Sequence, residues 1–400
     1  MIRIALLFFM STAVTSLIAQ AGGINTDRLQ RYTDFLQSEV DDRKIPGCVS
    51  LIMRKGEVVQ HKAIGYNNLI SKEPMEVDQI FYIQSMTKPI ISVAFMMLYE
   101  EGHFFLGDNV SDYLPGFDSL QVAIYADGDT IPTLEPAKGS IKIWHLLSHA
   151  AGYSHGLGES RYDKAVNDLL YGQEHADISS RVAALTSYPL MGHPGEQWNY
   201  SASPDILALL IQKFSGQTPE EFLQERIFSP LGMTDTGYNL PESMASRQAT
   251  LHSKLPDGRV FPAPDFNPEM SGNTVFGGTH GLFSTAEDYM KFARMILNDG
   301  SWDGTQYISR KTLELMSENF VGDMFRKGNG FGLGFGIRTD LSESEASGSV
   351  GTVYWNGAFN THFFVDPEEE LVAILMTQHW PYSGFYARKM RQYVYSAIAD

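Results

Sequence analysis

Strand-like runs stand near both ends of this chain, and the long middle is helical in pattern. Residues 48–54 and 58–64 flank Lys55-Gly56-Glu57, which reads as a hairpin. Residues 79–83 read as a third strand. Strand signals return at the glycine-rich segment 330–338, then at 353–355, 362–366 and 371–377, with a turn at Asp366-Pro367-Glu368-Glu369-Glu370. Between these blocks, 141–150, 204–214, 219–228 and 285–297 have helical apolar spacing, as do the terminal segments 27–43 and 386–397. The simplest arrangement joins the first and last strands in one sheet, covered by the terminal helices. The expected class is therefore α/β (α+β): an antiparallel sheet flanked by terminal helices, plus a mainly helical lobe. One domain over 22–400 is expected, with an α/β lobe from 22–104 and 300–400 and a helical lobe from 105–299. A site between the lobes follows from that layout.

Of the 400 residues 43% are hydrophobic, enough for a substantial core. The formal charge of −17 disfavours nucleic acid and anionic lipid as partners. The single cysteine, Cys48, excludes an intrachain disulfide and sits in the apolar run CVSLIM, where a buried small side chain is expected. The opening MIRIALLFFMSTAVTSLIAQAGG has a basic Arg3, an apolar stretch at 4–10 and Ala19-Gln20-Ala21 as a cleavage site. Residues 1–21 thus read as a signal peptide, implying a periplasmic or secreted protein; the alternative is an uncleaved anchor helix. No later apolar run is long enough to span a bilayer.

The chemistry starts in IFYIQSMTKPIISVAFMMLYEEG, residues 80–102. A short strand turns there into a helix, with Ser85 at its head and Lys88 one turn on. Helix-start N–H groups lack intrahelical acceptors, which suits a nucleophile beside an amine. Ser-x-x-Lys alone is weak; the bland reading is a helix cap followed by a solvated lysine. A second segment, Trp198-Asn199-Tyr200-Ser201-Ala202, precedes a helix and offers a phenol. Free tyrosine and lysine titrate at about 10 and about 10.4, so each needs its pKa lowered to act as a base. Burial would lower Lys88, and a neighbouring ammonium would lower Tyr200. A third segment, Trp355-Asn356-Gly357-Ala358, lies on a strand where glycine permits close substrate approach. The backbone N–H groups of Ser85 and Ala358 would then form an oxyanion hole.

These three pieces, in this order, resemble the serine β-lactamase-like superfamily, nearest to class C β-lactamases and family VIII carboxylesterases. The likeness includes HLLSHAAGY (145–153), SGQTPEEFLQERIFSPLGMTDTGY (215–238), GGTHGLFSTAEDY (277–289) and WNGAFNTHFFVDPEEELVAILMTQ (355–378). It implies a β-lactamase/transpeptidase-like fold, acylation of Ser85, a base role shared by Lys88 and Tyr200, and a site wall at Trp355, Asn356 and Gly357. Two departures bear on substrate. Tyr200-Ser201-Ala202 stands where β-lactamases usually have Tyr-x-Asn, and Trp355-Asn356-Gly357 where they usually have Lys-Thr-Gly. The lost amide and the lost cation both disfavour penicillins, cephalosporins and D-Ala-D-Ala peptides. The expectation is an exported hydrolase of short-chain carboxylic esters with no cofactor or metal. Its partner would be a small ester or amide; the sequence leaves its oligomeric state open. A β-lactamase or D-amino-acid peptidase is the nearest alternative, and a non-turnover acyl-binding sensor the next.

Rival groups exist. Gly152-Tyr153-Ser154-His155-Gly156 matches a Gly-x-Ser-x-Gly elbow, with Asp366 and His379 available downstream, but the flanking pattern lacks the strand that elbow needs. His145 and His149 have a metal-ligand spacing without an accompanying glutamate; helix packing is the plainer reading. His280, in a glycine loop, borders the site on this reading. Residues 153–194 are expected to cover it, in a shape the sequence does not disclose.

Overall fold

The computed structural model describes residues 21–125, 131–344 and 346–400. Apart from Ala21, the expected leader lies outside them. The first strands are β1 (Gly47–Arg54), β2 (Glu57–Asn68) and β3 (Glu73–Pro74). The late ones are β4 (Asn329–Phe331), β5 (Gly336–Arg338), β6 (Val353–Asn356), β7 (His362–Asp366) and β8 (Leu371–Met376). They form one eight-stranded sheet in the order β4-β5-β6-β7-β8-β1-β2-β3. The join between the chain's two ends is the antiparallel pair β1–β8, with Val49 opposite Met376 and Arg54 opposite Leu371.

Both faces of this sheet are covered, which is why CVSLIM is apolar throughout rather than alternating. Cys48 and Ile52 face α1 (Thr26–Asp41) and the C-terminal helix Gly384–Ser396, packing with Tyr32, Leu36, Met390 and Val394. Burial pushes the Cys48 thiol up to about 12, as befits a packing residue. Val49, Leu51 and Met53 point the other way, into the core shared with α2 (Thr87–Glu100) and the helix Ala286–Leu297. Further helices at Arg161–Tyr171, Ile178–Thr186 and Ser203–Ser215 belong to the middle of the chain; we call these α3, α4 and α5, Ala286–Leu297 α6 and Gly384–Ser396 α7. This is the mixed helical and antiparallel architecture expected from the sequence.

Several local expectations are corrected. Segment 330–338 is two strands, β4 and β5, paired antiparallel around Gly334, whose φ of +104° only glycine adopts readily. The expected strand 79–83 shrinks to Phe81–Tyr82 and pairs with Phe283–Ser284 outside the main sheet, whose edge is β3 instead. The helix expected over 141–150 spans only Ile143–Leu147, because His149 takes a left-handed φ of +60°. The helix expected over 219–228 is α-helical for Pro219–Leu223 and widens into a π turn at Gln224–Phe228. No helix among the described residues is long and apolar enough to cross a membrane.

Candidate active site

Ser85 lies in a one-turn 3₁₀ segment, Gln84–Met86, that leads into α2. The residue before it, Gln84, has φ +50°, an uncommon conformation for a side chain with a Cβ. Packing holds this turn: Tyr289 of α6 donates to the Met86 carbonyl at 3.0 Å, and Thr361 donates to that of Ile83 at 3.3 Å. The turn sits directly against the end of β6. A Cβ on Gly357 would stand 2.4 Å from the Ile83 carbonyl oxygen, so only glycine lets the strand approach so closely.

Lys88 is 1% exposed, and its Nζ lies 3.2 Å from Ser85 Oγ. It donates to the Thr279 carbonyl at 2.7 Å and lies 3.4 Å from His155 Nε2. Burial holds its pKa well below the usual lysine value; Asp205 opposes that shift and Arg181 adds to it. A neutral amine at this distance is able to take the Ser85 proton. The lowering expected for Lys88 is therefore present.

The lowering expected for Tyr200 is not. Burial raises its pKa, against hydrogen bonds to the Ser85 and Trp355 side chains that act in the other direction. The physical reason is burial, which would strip a phenolate of its hydration; the Lys88 Nζ lies over the ring face, 4.6 Å from its centroid. Tyr200 is thus a phenol rather than a phenolate. Its ring stacks on His155, with centroids 5.0 Å apart and planes 19° apart, and meets Trp355 at 5.5 Å.

Ser85, Tyr200, Trp355, Asn356, Gly357 and Ala358 line one cavity of about 290 Å³. Leu157, Trp198, Phe325 and Trp380 complete an apolar wall. Leu157 comes from the 153–194 segment, so that segment does reach the site. Asn356 Oδ1 is held by His362 Nδ1 at 2.7 Å. Ala202 is buried, and its carbonyl accepts from Thr279 Oγ1 at 3.3 Å.

Behind Lys88 runs a buried polar layer that the sequence did not reveal. Arg181 of α4 and Asp205 of α5 are in ion-pair contact at 2.9 Å, both nearly inaccessible. Asp205 also accepts from the Thr279 N–H at 2.8 Å, fixing the loop whose carbonyl holds Lys88. His280 bridges Tyr82 at 2.8 Å and Arg181 at 3.0 Å, and it borders this layer rather than the cavity. His155 and His280 are both held well below their ordinary pKa, chiefly by burial. An arginine in an unreadable segment and an aspartate at N3 of a helix normally face water; neither carries a sequence signal for this placement.

The rival groups are engaged elsewhere. Ser154 lies in a loop, not an elbow; its hydroxyl bonds Asp163 and accepts from the Gly156 N–H at 2.9 Å. Asp366 accepts from Thr352 and Tyr395, while His379 meets Thr377 at 3.3 Å. His149 pairs with Ser201 at 3.0 Å and His145 accepts from the Lys142 N–H at 3.0 Å. Among the described residues no group of three or more His, Cys, Asp or Glu side chains gathers as a metal site.

The sheet, its terminal helices and the helical layer over α2 define a β-lactamase/transpeptidase-like fold. A profile of the Beta-lactamase family matches residues 32–395, and the chain belongs to that family. An uncharacterized protein of Mycobacterium tuberculosis is 32% identical over 351 residues, covering 84% of this chain and 86% of the relative. The lovastatin esterase of Penicillium rubens is 28% identical, with 84% and 90% covered. Among solved structures, EstCE1, described as a hydrolase with promiscuous acyltransferase activity, superposes with a TM-score of 0.78 at 24% identity, covering 94% of this chain and 99% of the other.

Proposed function

We propose that this chain is a serine hydrolase of short-chain carboxylic esters, working through an acyl-enzyme on Ser85. The observation that carries the reading is the buried, charge-depleted Lys88 amine 3.2 Å from the Ser85 hydroxyl. Lys88 takes the Ser85 proton as the oxygen attacks the ester carbonyl. The N–H groups of Ser85 and Ala358, two residues that line the same cavity, would meet the developing oxyanion. Tyr200, kept protonated by burial, gives its proton to the departing alkoxide and is restored from the Lys88 ammonium. Water then repeats the attack on the acyl-enzyme and releases the acid.

The substrate reading rests on the cavity. Its volume of about 290 Å³ and its Trp198, Phe325 and Trp355 walls suit a short apolar acyl group. Trp355 and Ala202 stand where a β-lactamase would present a cation and an amide. Relatives named as esterases, such as the lovastatin esterase and Esterase EstB of Burkholderia gladioli, favour the same direction. Hydrolysis of p-nitrophenyl butyrate and of a chromogenic cephalosporin by wild type, Ser85→Ala and Ser154→Ala tests the proposal. Ester cleavage that disappears only in Ser85→Ala, with the cephalosporin intact, supports it. Efficient cephalosporin cleavage without ester cleavage overturns it. We also propose export, from the leader alone; the mass of the mature protein, shortened by residues 1–21 or not, tests that separately.

A further inference from the structure

In the segment Gly152-Tyr153-Ser154-His155-Gly156 it is the histidine, not the serine, that stands beside the chemistry. His155 is buried, with Nε2 3.4 Å from Lys88 Nζ and Nδ1 3.3 Å from the Tyr171 hydroxyl. Its ring face stacks on Tyr200, with planes 19° apart. One side chain thus touches both proton-handling groups of the proposed reaction, yet none of the proposed steps uses it. The segment holds that ring in place. Ser154 bonds Asp163 of α3 on one side of His155. On the other side Gly156 has φ +76°, and a Cβ there would stand 2.7 Å from the Asn167 backbone nitrogen of α3. Glycine alone lets the loop lie so close to the helix. Tyr171, the last residue of that helix, meets the Nδ1 edge of the ring.

The donors and acceptors around Lys88 give this ring a task. A neutral amine has two N–H donors and one lone pair; an ammonium has three donors and no lone pair. Lys88 Nζ meets the Thr279 carbonyl at 2.7 Å, Ser85 Oγ at 3.2 Å and His155 Nε2 at 3.4 Å. The carbonyl only accepts. With His155 Nε2 accepting as well, both N–H bonds of the neutral amine are taken, and its lone pair is left for the Ser85 hydroxyl. After proton transfer the ammonium has three donors for the same three partners. This places the His155 proton on Nδ1, where the Tyr171 oxygen is at hand to accept it. Burial holds the His155 pKa well below its ordinary value, so the ring stays neutral and Nε2 keeps its lone pair.

We propose that His155 is a positioning residue, whose Nε2 takes one N–H of the Lys88 amine and so turns the Lys88 lone pair onto the Ser85 hydroxyl. The inference rests on the proposed Ser85–Lys88 pair but not on which ester is cleaved.

The test follows covalent labelling of Ser85 by a p-nitrophenyl alkylphosphonate, read by mass, beside turnover of p-nitrophenyl butyrate. In the labelling step the Ser85 oxygen bonds phosphorus, p-nitrophenolate leaves and the Ser85 proton passes to Lys88. His155→Phe keeps a ring against Tyr200 and removes the acceptor. His155→Gln gives up the ring and keeps an acceptor oxygen near the Nε2 position. His155→Leu removes both, and replaces the Phe variant if the larger ring prevents folding. In the Phe and Leu variants the limiting labelling rate and kcat are expected to fall by about 10–100-fold with KM little changed, the worth of one hydrogen bond to a group that becomes charged. His155→Gln is expected to stay within about threefold of wild type, since its acceptor is retained. Equal losses in the Gln and Phe variants would mean that His155 carries the proton itself or only fills space, and would overturn the proposal. Wild-type rates in all three variants, or a change confined to KM, overturn it too and leave the hydrolase reading intact. Labelling in the expected order without ester turnover upholds the positioning role and sinks the hydrolase reading. A wild type that is not labelled at Ser85 removes the activated serine, and the role of His155 with it.

Discussion

Two buried arginines with carboxylate partners do opposite jobs in this molecule. Arg54 ends β1 and reaches Glu369 at 2.6 Å and Asp400 at 2.7 Å, tying the sheet to the last residue of the chain. Its acids remain wet: Glu369 is 30% and Asp400 39% exposed at the side chain. Arg181 meets Asp205 at 2.9 Å, and that carboxylate is wholly buried. A pair with a wet acid is weakly stabilising and screened by salt, whereas a dry one carries a desolvation cost that its own attraction scarcely offsets. The dry pair is therefore poorly explained by stability. It makes sense through Lys88, whose charge it influences with both signs, and through the Thr279 loop that Asp205 anchors. Of these two pairs, the dry one lies where the proposed chemistry does and the wet one lies at the rim.

The largest expected effect breaks the functional side of this contrast. Lys88→Met should lower ester kcat/KM by about 10²–10⁴-fold, the usual worth of a positioned proton acceptor. Its urea midpoint should not fall, since a buried amine leaves with its desolvation cost. A variant that keeps its rate would remove Lys88 from the mechanism.

Asp205→Asn attacks the dry pair itself. It leaves Arg181 uncompensated and should cost about 3–5 kcal/mol in urea unfolding. It should also shift the pH profile in a defined direction. Lys88 acts when neutral, so kcat/KM falls as pH drops through its lowered pKa. Asp205 raises that pKa, so removing it moves the acid limb to lower pH. A limb that stays in place would mean that another group titrates there.

Gly278→Ala tests the same layer by packing rather than charge. A Cβ at this position would stand 1.9 Å from the Pro204 carbonyl oxygen, at the head of α5. Backbone has to shift, at an expected cost of about 1–3 kcal/mol in thermal or urea unfolding. Gly56→Ala probes a glycine with open space around its Cβ position and tests backbone conformation instead, its φ being +79°. Equal losses in the two would argue that the contact with Pro204 is not what demands glycine at 278.

The contrast also marks what a sequence discloses. The sheet was legible because apolar runs at both ends have no other way to be buried, and CVSLIM carries its two covered faces in its composition. Ser85, Lys88, Tyr200 and Trp355 were legible because local context and a family resemblance supported them together. Arg181 and Asp205 were not. A charged residue on a helix is indistinguishable in sequence from one facing water, and only the packing of several elements makes it dry. The Tyr200 proton was not legible for a related reason: burial holds it, and burial comes from the packing of several elements. The break within 330–338 hinges on the left-handed backbone at Gly334, in a run where several glycines are equally able to adopt it.

The smallest expected effect concerns the wet pair, and it separates the two regions by pH window. The Lys55 ammonium, then the Arg54 guanidinium, hold the Asp400 carboxyl down from 3.8 to about 2. A depressed carboxyl pKa means that the unfolded chain binds the proton first as pH falls. The contribution of Asp400 is therefore complete above pH 3.8 and is lost as pH falls through about 2. Lys88 follows the same law in another range. Its depressed pKa lets stability rise as pH climbs from the folded value toward 10.5, where the unfolded chain also loses its proton. Asp400→Asn should lower the melting temperature slightly above pH 4, by an amount that fades toward pH 2 and shrinks in about 1 M salt, where the Debye length is about 3 Å. It should leave the alkaline rise untouched, while Lys88→Met should abolish that rise and leave the acid limb alone. If Asp400→Asn altered both limbs, the rim and the interior would be one electrostatic unit, and the division drawn between them would fail.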